Sequence, residues 1–173
     1  VDIDGEPWLN PPSMGADEYV PGNVKGPLTV SIDVNYTNVA TGFVVSFVAQ
    51  NNGPISASVW NFGDGVVVSN MSYISHSWMA AGNYTVRLTG YNDSFPSGVS
   101  NIVIIKVVDN PVYYVNANSS SPTPPYSSWN IAARTIQDAV DNVPVGGTVL
   151  VTNGTYNTGG KAVYGLMTNR VAI

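Results

Sequence analysis

The residues of this chain that could do chemistry are few: one histidine, His76, and an aspartate between two glycines, Gly63-Asp64-Gly65. The glycines permit positive φ where a side chain would clash, and Asp64 could then accept hydrogen bonds from nearby backbone amides. A catalytic or metal-binding role for His76 needs a second titratable partner in a cleft. One histidine cannot define a Ser-His-Asp set, and no G-x-S-x-G motif occurs. We therefore predict no catalytic residues, no metal ligands and no cofactor.

A second chemical candidate is the acidic stretch Asp2-Ile3-Asp4-Gly5-Glu6. Closely spaced carboxylates suit Ca²⁺, a hard cation that prefers oxygen ligands. No twelve-residue loop with a terminal glutamate follows, so a solvated turn is the preferred interpretation. Residues 1–26 also contain five of the eleven acidic residues and four prolines. This composition predicts an irregular acidic lead-in.

Aromatic side chains raise the alternative of sugar binding. Exposed aromatic rings can stack on sugars because one face is apolar and the edge can be polar. Trp60 and Trp78 are predicted to lie in the core, whereas Trp8 and Trp129 are better candidates for exposure. For Trp8 and Trp129 too, a core or interface role is the favoured interpretation.

Six Asn-x-Ser/Thr sequons would accept glycans if the source organism glycosylates its proteins. Asn92, in a predicted turn, and Asn118, in a Ser/Pro-rich segment, are predicted to be the most accessible. The sequons begin at Asn35, Asn70, Asn83, Asn92, Asn118 and Asn153.

Composition and charge exclude several classes of function. The 173 residues are 44% hydrophobic, which is ample for a core, but only 10% are charged, against roughly 25% in an average soluble domain. The net charge is −5 and the six basic residues are scattered, whereas a nucleic-acid-binding face needs clustered Lys and Arg. Without cysteine there is neither a disulfide nor a thiolate metal site. No apolar run is long enough to span a membrane, and no signal peptide is visible.

The elements that would position these residues are β-strands between residues 27 and 109. Seven short strand-like stretches are separated by turn signals, a pattern typical of a two-sheet sandwich. In one of them Tyr84, Val86 and Leu88 alternate with polar residues, which predicts that these three point inward. The predicted strands are 29–36, 43–50, 56–62, 66–69, 73–78, 84–91 and 100–108.

After residue 109 the pattern changes. Residues 110–128 are rich in Ser, Pro and Asn and are predicted to form a linker. From Ala132 to Val143 apolar residues recur at the spacing of one helix face, and Pro144 would end that helix. Candidate N-caps are Ser127, Ser128 and Asn130. Further strands are predicted at 148–152, 162–164 and 170–173.

Three motifs at consistent spacing resemble a PKD (polycystic kidney disease) domain over residues 27–109: Trp60-Asn61-Phe62-Gly63-Asp64-Gly65, His76-Ser77-Trp78, and the strand from Gly82 to Leu88. Asn61 and Trp78 depart from the usual aspartate and tyrosine. The resemblance implies an immunoglobulin-like sandwich, usually a non-catalytic extracellular spacer or adhesion module. It also implies a structural role, not a catalytic one, for nine signature residues: Trp60, Phe62, Gly63, Asp64, Gly65, His76, Trp78, Gly82 and Tyr84.

The flanking segments resemble parts of a right-handed parallel β-helix of the pectin-lyase-like kind. Tyr114-Val115-Asn116 with residues 129–156 is similar to its N-terminal cap and first rungs, and residues 14–19 are similar to a closing tail. A solenoid needs several rungs and two caps to bury its core. Either most of a β-helix lies elsewhere, or another copy supplies what is absent; a heterologous contact of that kind propagates as a filament.

The prediction is therefore an all-β chain that begins at Val1 as a processed product or a piece of a longer one. It comprises a lead-in (1–26), an immunoglobulin-like sandwich (27–109), a linker (110–128), and a short helix cap with the first strands of a β-helix-like segment (129–173). We expect an extracellular or cell-surface structural or adhesion module whose partners are other copies of itself or flanking β-helix domains. The alternative is an accessory spacer or carbohydrate-binding region of a larger polysaccharide-degrading enzyme. Neither nucleic acid nor a membrane span is expected.

Overall fold

The computed structural model describes residues 24–173, which form twelve strands, one 3-10 helix and one α-helix. The predicted calcium stretch at residues 2–6, Trp8 and the predicted closing tail at residues 14–19 lie outside the described residues. The strands are β1 (Thr29–Val34), β2 (Asn38–Ala40), β3 (Val45–Asn52), β4 (Ala57–Asn61), β5 (Val67–Ser69), β6 (Tyr73–His76), β7 (Gly82–Asn92), β8 (Phe95–Val108), β9 (Val112–Val115), β10 (Thr148–Val151), β11 (Lys161–Tyr164) and β12 (Met167–Asn169). The 3-10 helix is Trp129–Ile131, and α1 is Ile136–Asn142.

The first eight strands form two sheets. One has the order β1-β3-β6 and the other β2-β8-β7-β4-β5. β1 pairs antiparallel with β3, and β4 pairs antiparallel with both β5 and β7, whereas β2 pairs parallel with β8. The predicted all-β fold, a sandwich with one short helix after it, is confirmed. β2 was not predicted, because three residues are too few to show an alternating pattern.

The described residues divide into two compact units. Unit 1 contains residues 24–34, Ser46–Ile74 and Thr85–Val103. Unit 2 contains Asn35–Val45, Ser75–Tyr84 and Ile104–Ile173. The predicted division of the chain at residues 26, 109 and 128 stays a prediction.

An aromatic cluster forms the centre of unit 1. Trp60 and Phe62 are two residues apart on an extended chain, so they face the same side. Their rings lie 6.1 Å apart, and the Phe47 ring from β3 lies 5.9 Å from Trp60 and 5.6 Å from Phe62. All three side chains are fully buried. Because β3 and β4 belong to different sheets, this cluster packs the two sheets together within unit 1.

Unit 2 has its own core beyond the sandwich strands. Val115, Tyr126, Ala133 and Ala139 are buried together, with Tyr113, Ile136, Val149 and Tyr156 packed against them. Residues 110–128, predicted as a linker from their composition, thus contain strand β9 and a buried tyrosine. The four residues of β9 are too short a run to stand out in a segment rich in Ser, Pro and Asn.

Two local predictions in unit 2 were wrong. The helix begins at Ile136, so its N-cap is Thr135, whose hydroxyl accepts from the Asp138 backbone N–H at 3.1 Å. Ser128 instead precedes the 3-10 helix and makes no side-chain cap bond. The last strand is β12 at Met167–Asn169 and not 170–173, because a turn at Gly165, with φ of +54°, returns the chain onto β11.

Candidate functional site

The turn at Gly63-Asp64-Gly65 is held by local hydrogen bonds. The Asn61 Oδ1 accepts from the Gly63 N–H at 2.9 Å, and the Asp64 Oδ1 accepts from the Val66 N–H at 3.1 Å. Gly63 has φ of +79°, and a Cβ there would lie 3.0 Å from the Thr85 carbonyl oxygen. The Asp64 carboxylate is therefore engaged in closing the turn. In the described part of the chain no group of three or more acidic or histidine side chains is placed to hold a metal ion.

His76, Trp78 and Tyr84 form a stack within unit 2. The His76 ring lies edge-on to Trp78 with centroids 4.8 Å apart, and Trp78 stacks on Tyr84 at 5.2 Å. The Tyr84 hydroxyl donates to the Ala80 carbonyl at 2.9 Å, and a Cβ at Gly82 would just touch the Tyr84 ring. The single histidine thus packs in an aromatic stack. A purely structural role for the signature residues is consistent with these contacts and stays a prediction.

The tryptophans separate into buried and exposed residues. Trp60 and Trp78 are buried, as predicted, and the Trp60 indole N–H donates to the Met71 carbonyl at 2.8 Å. Trp129 is 43% exposed, with its ring edge-on to Tyr114 at 4.5 Å. Trp129 is therefore the tryptophan in the described residues that could meet a ligand.

The exposure predicted for one of the two candidate glycosylation sites was wrong. Asn92 is only 3% exposed. Its amide nitrogen donates to the carbonyls of Gly26 and Pro54, and its Oδ1 accepts from the backbone N–H groups of Ser94 and Phe95. A glycosyltransferase needs this amide free, so Asn92 is a structural residue. Asn118, by contrast, is exposed.

The β9–β10 pair presents an open sheet edge. The two strands are parallel, with Thr148 opposite Val112 and Val151 opposite Val115. On its other side β9 exchanges backbone hydrogen bonds with Tyr126 and Ala133, at 2.8 and 2.9 Å from Tyr114. β9 is therefore covered on both edges.

β10, in contrast, pairs with β9 alone among the described strands. The N–H groups of Thr148 and Thr152 point toward β9, donating to Pro111 and Val115. Backbone groups alternate in direction along a strand, so those of Val149 and Val151 point to the opposite edge. Leu150 on this strand is 46% exposed. The outer edge of β10 therefore presents backbone groups that pair with no described strand, and it lies beside exposed apolar side chains.

A second feature of unit 2 is the arm, which we define as residues 161–173. It is held by the clamp, which we define as Gln137 and Asp141 on α1. The buried Gln137 amide donates to the Ala172 carbonyl at 3.0 Å and accepts from the Ala172 N–H at 2.7 Å. Gln137 Nε2 also donates to Asp141 Oδ1 at 2.8 Å, and Lys161 Nζ lies 2.7 Å from the same oxygen. Hydrogen bonds from Lys161 and then from Gln137 lower the pKa of Asp141.

The remaining features offer binding space and little acid–base chemistry. A cavity of about 270 Å³ in unit 1 has apolar walls from Val30, Ile55 and Leu88 and polar ones from Gln50 and Asn70. None of its described lining residues is titratable. Burial, followed by the charge of Asp138, raises the pKa of Tyr126, which lies in the unit 2 core.

Comparisons with known proteins find similarity to PKD domains. Residues 27–106 match the family model described as PKD domain. The PKD1 domain of Vibrio anguillarum Epp is 22% identical, with 48% of this chain and 98% of that chain covered and a TM-score of 0.35. The PKD domain of the human VPS10 domain-containing receptor SorCS2 is 18% identical over 60% and 90% of the two chains, with a TM-score of 0.42.

A third similar structure comes from work on the promiscuous specificity of carbohydrate-binding modules of the β-sandwich superfamily. It is 23% identical, covers 56% of this chain and 39% of that chain, and has a TM-score of 0.43. No curated protein matches the chain. Among residues 24–173 no helix is long and apolar enough to cross a membrane.

Proposed function

We propose that this chain is an extracellular structural module, because residues 27–106 match the PKD domain family, whose β-sandwich modules are found in extracellular proteins and are generally non-catalytic. In this proposal the sandwich is a spacer, and the α1–β9–β10 region joins it to further β-structure. The observation that carries the proposal is the open edge of β10, which pairs in parallel with β9 and with no other described strand.

Strand addition at this edge would satisfy several groups at once. A strand laid parallel to β10 would bond the outward backbone groups of Val149 and Val151 and cover the exposed side chain of Leu150. An uncovered edge with apolar side chains is an aggregation hazard that proteins normally avoid. The parallel pair β9–β10, with α1 packed beside it, is also what the start of a β-helix requires. The added strand belongs either to a flanking β-helix domain or to another copy of the chain.

We further propose head-to-tail assembly when copies of the chain meet. The edge of β10 would contact a different surface of the next copy, which makes the contact heterologous. Such contacts leave one edge open at each end, so they propagate into filaments unless the rotation closes a ring. Adhesion at a cell surface would then come from a repeated array of sandwiches.

Sedimentation velocity over a range of concentrations tests this proposal, with electron microscopy of the heaviest species. The chain should form species larger than a monomer, and the double variant L150K/V151K should remain monomeric because two charges block the edge. I102K is the matched control: Ile102 is also an exposed apolar strand residue, 52% exposed, but lies on β8. A monodisperse wild-type monomer, or an edge variant that assembles like the control, would contradict the proposal.

A second candidate function is carbohydrate binding at Trp129, within an accessory region of a larger polysaccharide-degrading enzyme. The exposed Trp129 ring, braced edge-on by Tyr114, is the observation that favours it. Glycan-array binding should be lost in W129A and kept in Y36A, since Tyr36 is likewise exposed and braced by an aromatic ring. Binding that survives W129A, or no binding by the wild type, removes this candidate.

A further inference from the structure

The arm is attached to its own copy by few contacts. Every residue of β11 and β12 is exposed, and the Leu166 side chain at the hairpin turn is fully so. The contacts that hold the arm to α1 are polar: the paired hydrogen bonds of Gln137 with Ala172, and the ion pair of Lys161 with Asp141. Apolar burial thus contributes little to holding the hairpin in place.

Gln137 binds the arm as a neighbouring strand would. Its side-chain amide presents one acceptor and one donor to the N–H and C=O of a single residue, Ala172. These bonds involve only backbone groups of the arm, so the side chain at position 172 plays no part in them. The clamp is therefore a binding site for the backbone groups of the arm, and the Asp141 carboxylate adds a preference for a segment that carries a lysine in the position of Lys161.

A short joint connects the arm to the rest of unit 2. Tyr156 anchors the chain just before the joint. Its hydroxyl lies 3.3 Å from the Val115 carbonyl oxygen and 2.9 Å from the Thr152 hydroxyl. Asn157-Thr158-Gly159-Gly160 then leads directly into β11. Gly159 has φ of +79°, and the two successive glycines allow many backbone directions. The arm can be redirected at this joint while Tyr156 stays in place.

We propose that copies of the chain exchange arms, so that the clamp of one copy holds residues 161–173 of a second copy. This rests on the proposed assembly of the chain with itself and names the segment that performs it. The occupant follows from the structure, because the segment that fills the clamp is this chain's own arm. A second copy offers the same Ala172 backbone groups and the same Lys161 ammonium. Exchange therefore keeps every clamp contact, and it also places exposed apolar residues such as Leu166 between two copies, where they become buried.

The first test is a change at the hairpin turn of the arm. Because the clamp holds an arm both before and after exchange, a clamp variant weakens the two states alike, whereas the Leu166 side chain is exposed in one copy and becomes buried only between two. L166K should therefore weaken association in sedimentation velocity by about tenfold or more, as expected when a buried leucine is replaced by a charge. M79K is the matched control, because Met79 is also an exposed apolar residue but lies outside the arm. Circular dichroism and the thermal midpoint establish that each variant is folded.

The second test asks whether the ion pair forms between copies. D141K and K161D each place like charges at the Lys161–Asp141 contact, both within one copy and between two exchanged copies of the same variant. In an equimolar mixture, the arm of D141K meets the clamp of K161D with the native pair, and the other arm meets a reversed pair. The mixture should therefore associate more strongly than either variant alone, because only exchange between the two variants removes the like-charge contacts. A mixture that associates no more strongly than either variant alone, or an L166K variant that associates like M79K, overturns arm exchange.

The two proposals fail in different ways. If L150K/V151K abolishes association while L166K leaves it unchanged and mixing the charge variants adds nothing, the β10 edge assembles the chain and arm exchange is wrong. If L166K reduces association, mixing the charge variants increases it and the edge variant associates like I102K, the arm is the contact and strand addition at β10 is wrong. A wild-type chain that stays monomeric at every concentration overturns both.

Discussion

Substitution of Asn92 gives the most direct test of the reasoning from hydrogen bonds to stability. The Asn92 amide makes four hydrogen bonds, of 2.9 to 3.1 Å, to backbone groups of Gly26, Pro54, Ser94 and Phe95. Asn92→Ala removes all four. At about 1 kcal/mol for each net hydrogen bond the loss is about 4 kcal/mol, and water recovers part of it because the partners are only partly buried. We expect a loss of about 3 kcal/mol.

That loss is a large fraction of the roughly 5 to 15 kcal/mol that stabilises a typical folded domain. Urea denaturation followed by tryptophan fluorescence measures it. With a slope of about 2 kcal/mol per molar, the midpoint should fall by about 1.5 M. Asn118→Ala is the matched control, because Asn118 is also a sequon asparagine but is exposed, and its change should stay within about 0.5 kcal/mol.

An isosteric change separates the hydrogen bonds from packing. N92D keeps the shape of the side chain and the acceptor for Ser94 and Phe95, but it turns an oxygen toward the carbonyls of Gly26 and Pro54. It should destabilise the chain at neutral pH at least as much as Asn92→Ala, and less at acid pH, where a protonated carboxyl can donate. Equal midpoints for the Asn92 and Asn118 variants would refute the reasoning.

The remaining predictions concern the turn, the core and the clamp. Gly63→Ala should lower the free energy of unfolding, measured by urea denaturation, more than Gly65→Ala does. Both glycines have positive φ, which costs an alanine about 1 to 2 kcal/mol, but only at Gly63 would the new Cβ also meet backbone atoms. Equal losses for the two variants would contradict this. Phe47→Ala should cost about 3 to 5 kcal/mol by the same assay, because its ring joins the sheets in unit 1, and a loss below about 1 kcal/mol would exclude that role. The pKa of Asp141 is lowered in the folded chain, so its contact with Lys161 stabilises arm docking above the ordinary aspartate pKa and is lost as pH falls through the lowered value. Arm amides followed by NMR should therefore shift on acidification in the wild type and not in D141N.

The sequence determined the fold class and the resemblance to the PKD family, because both rest on local patterns. The apolar alternation around Val86 and Leu88 follows from strand geometry, and the two residues are buried on one face. Trp60 and Phe62 were identified as structural residues by a motif that the family model also matches. Gly63 needs positive φ for the turn, a requirement that the residue type itself reveals.

The tertiary structure decided what distant residues do to one another. The sequence predicts that Asn92 is an exposed asparagine in a turn. It is buried because Gly26 and Pro54, which are distant in the sequence, lie against its side chain. Gln137 was not singled out at all: it flanks the apolar face of a predicted helix, and a polar residue there is usually solvated. Its partner, Ala172, lies 35 residues away.

The same limit applies to the edge of β10. The apolar run Val149-Leu150-Val151 in the predicted strand 148–152 is typical of a buried strand. Whether such a run is covered depends on which strands pair beside it, and that is a property of long-range pairing rather than of local preference. In this chain β9 covers one side of β10, and no described strand covers the other. The sequence therefore predicts strand β10. Only the fold shows its open edge, on which the proposed assembly is based.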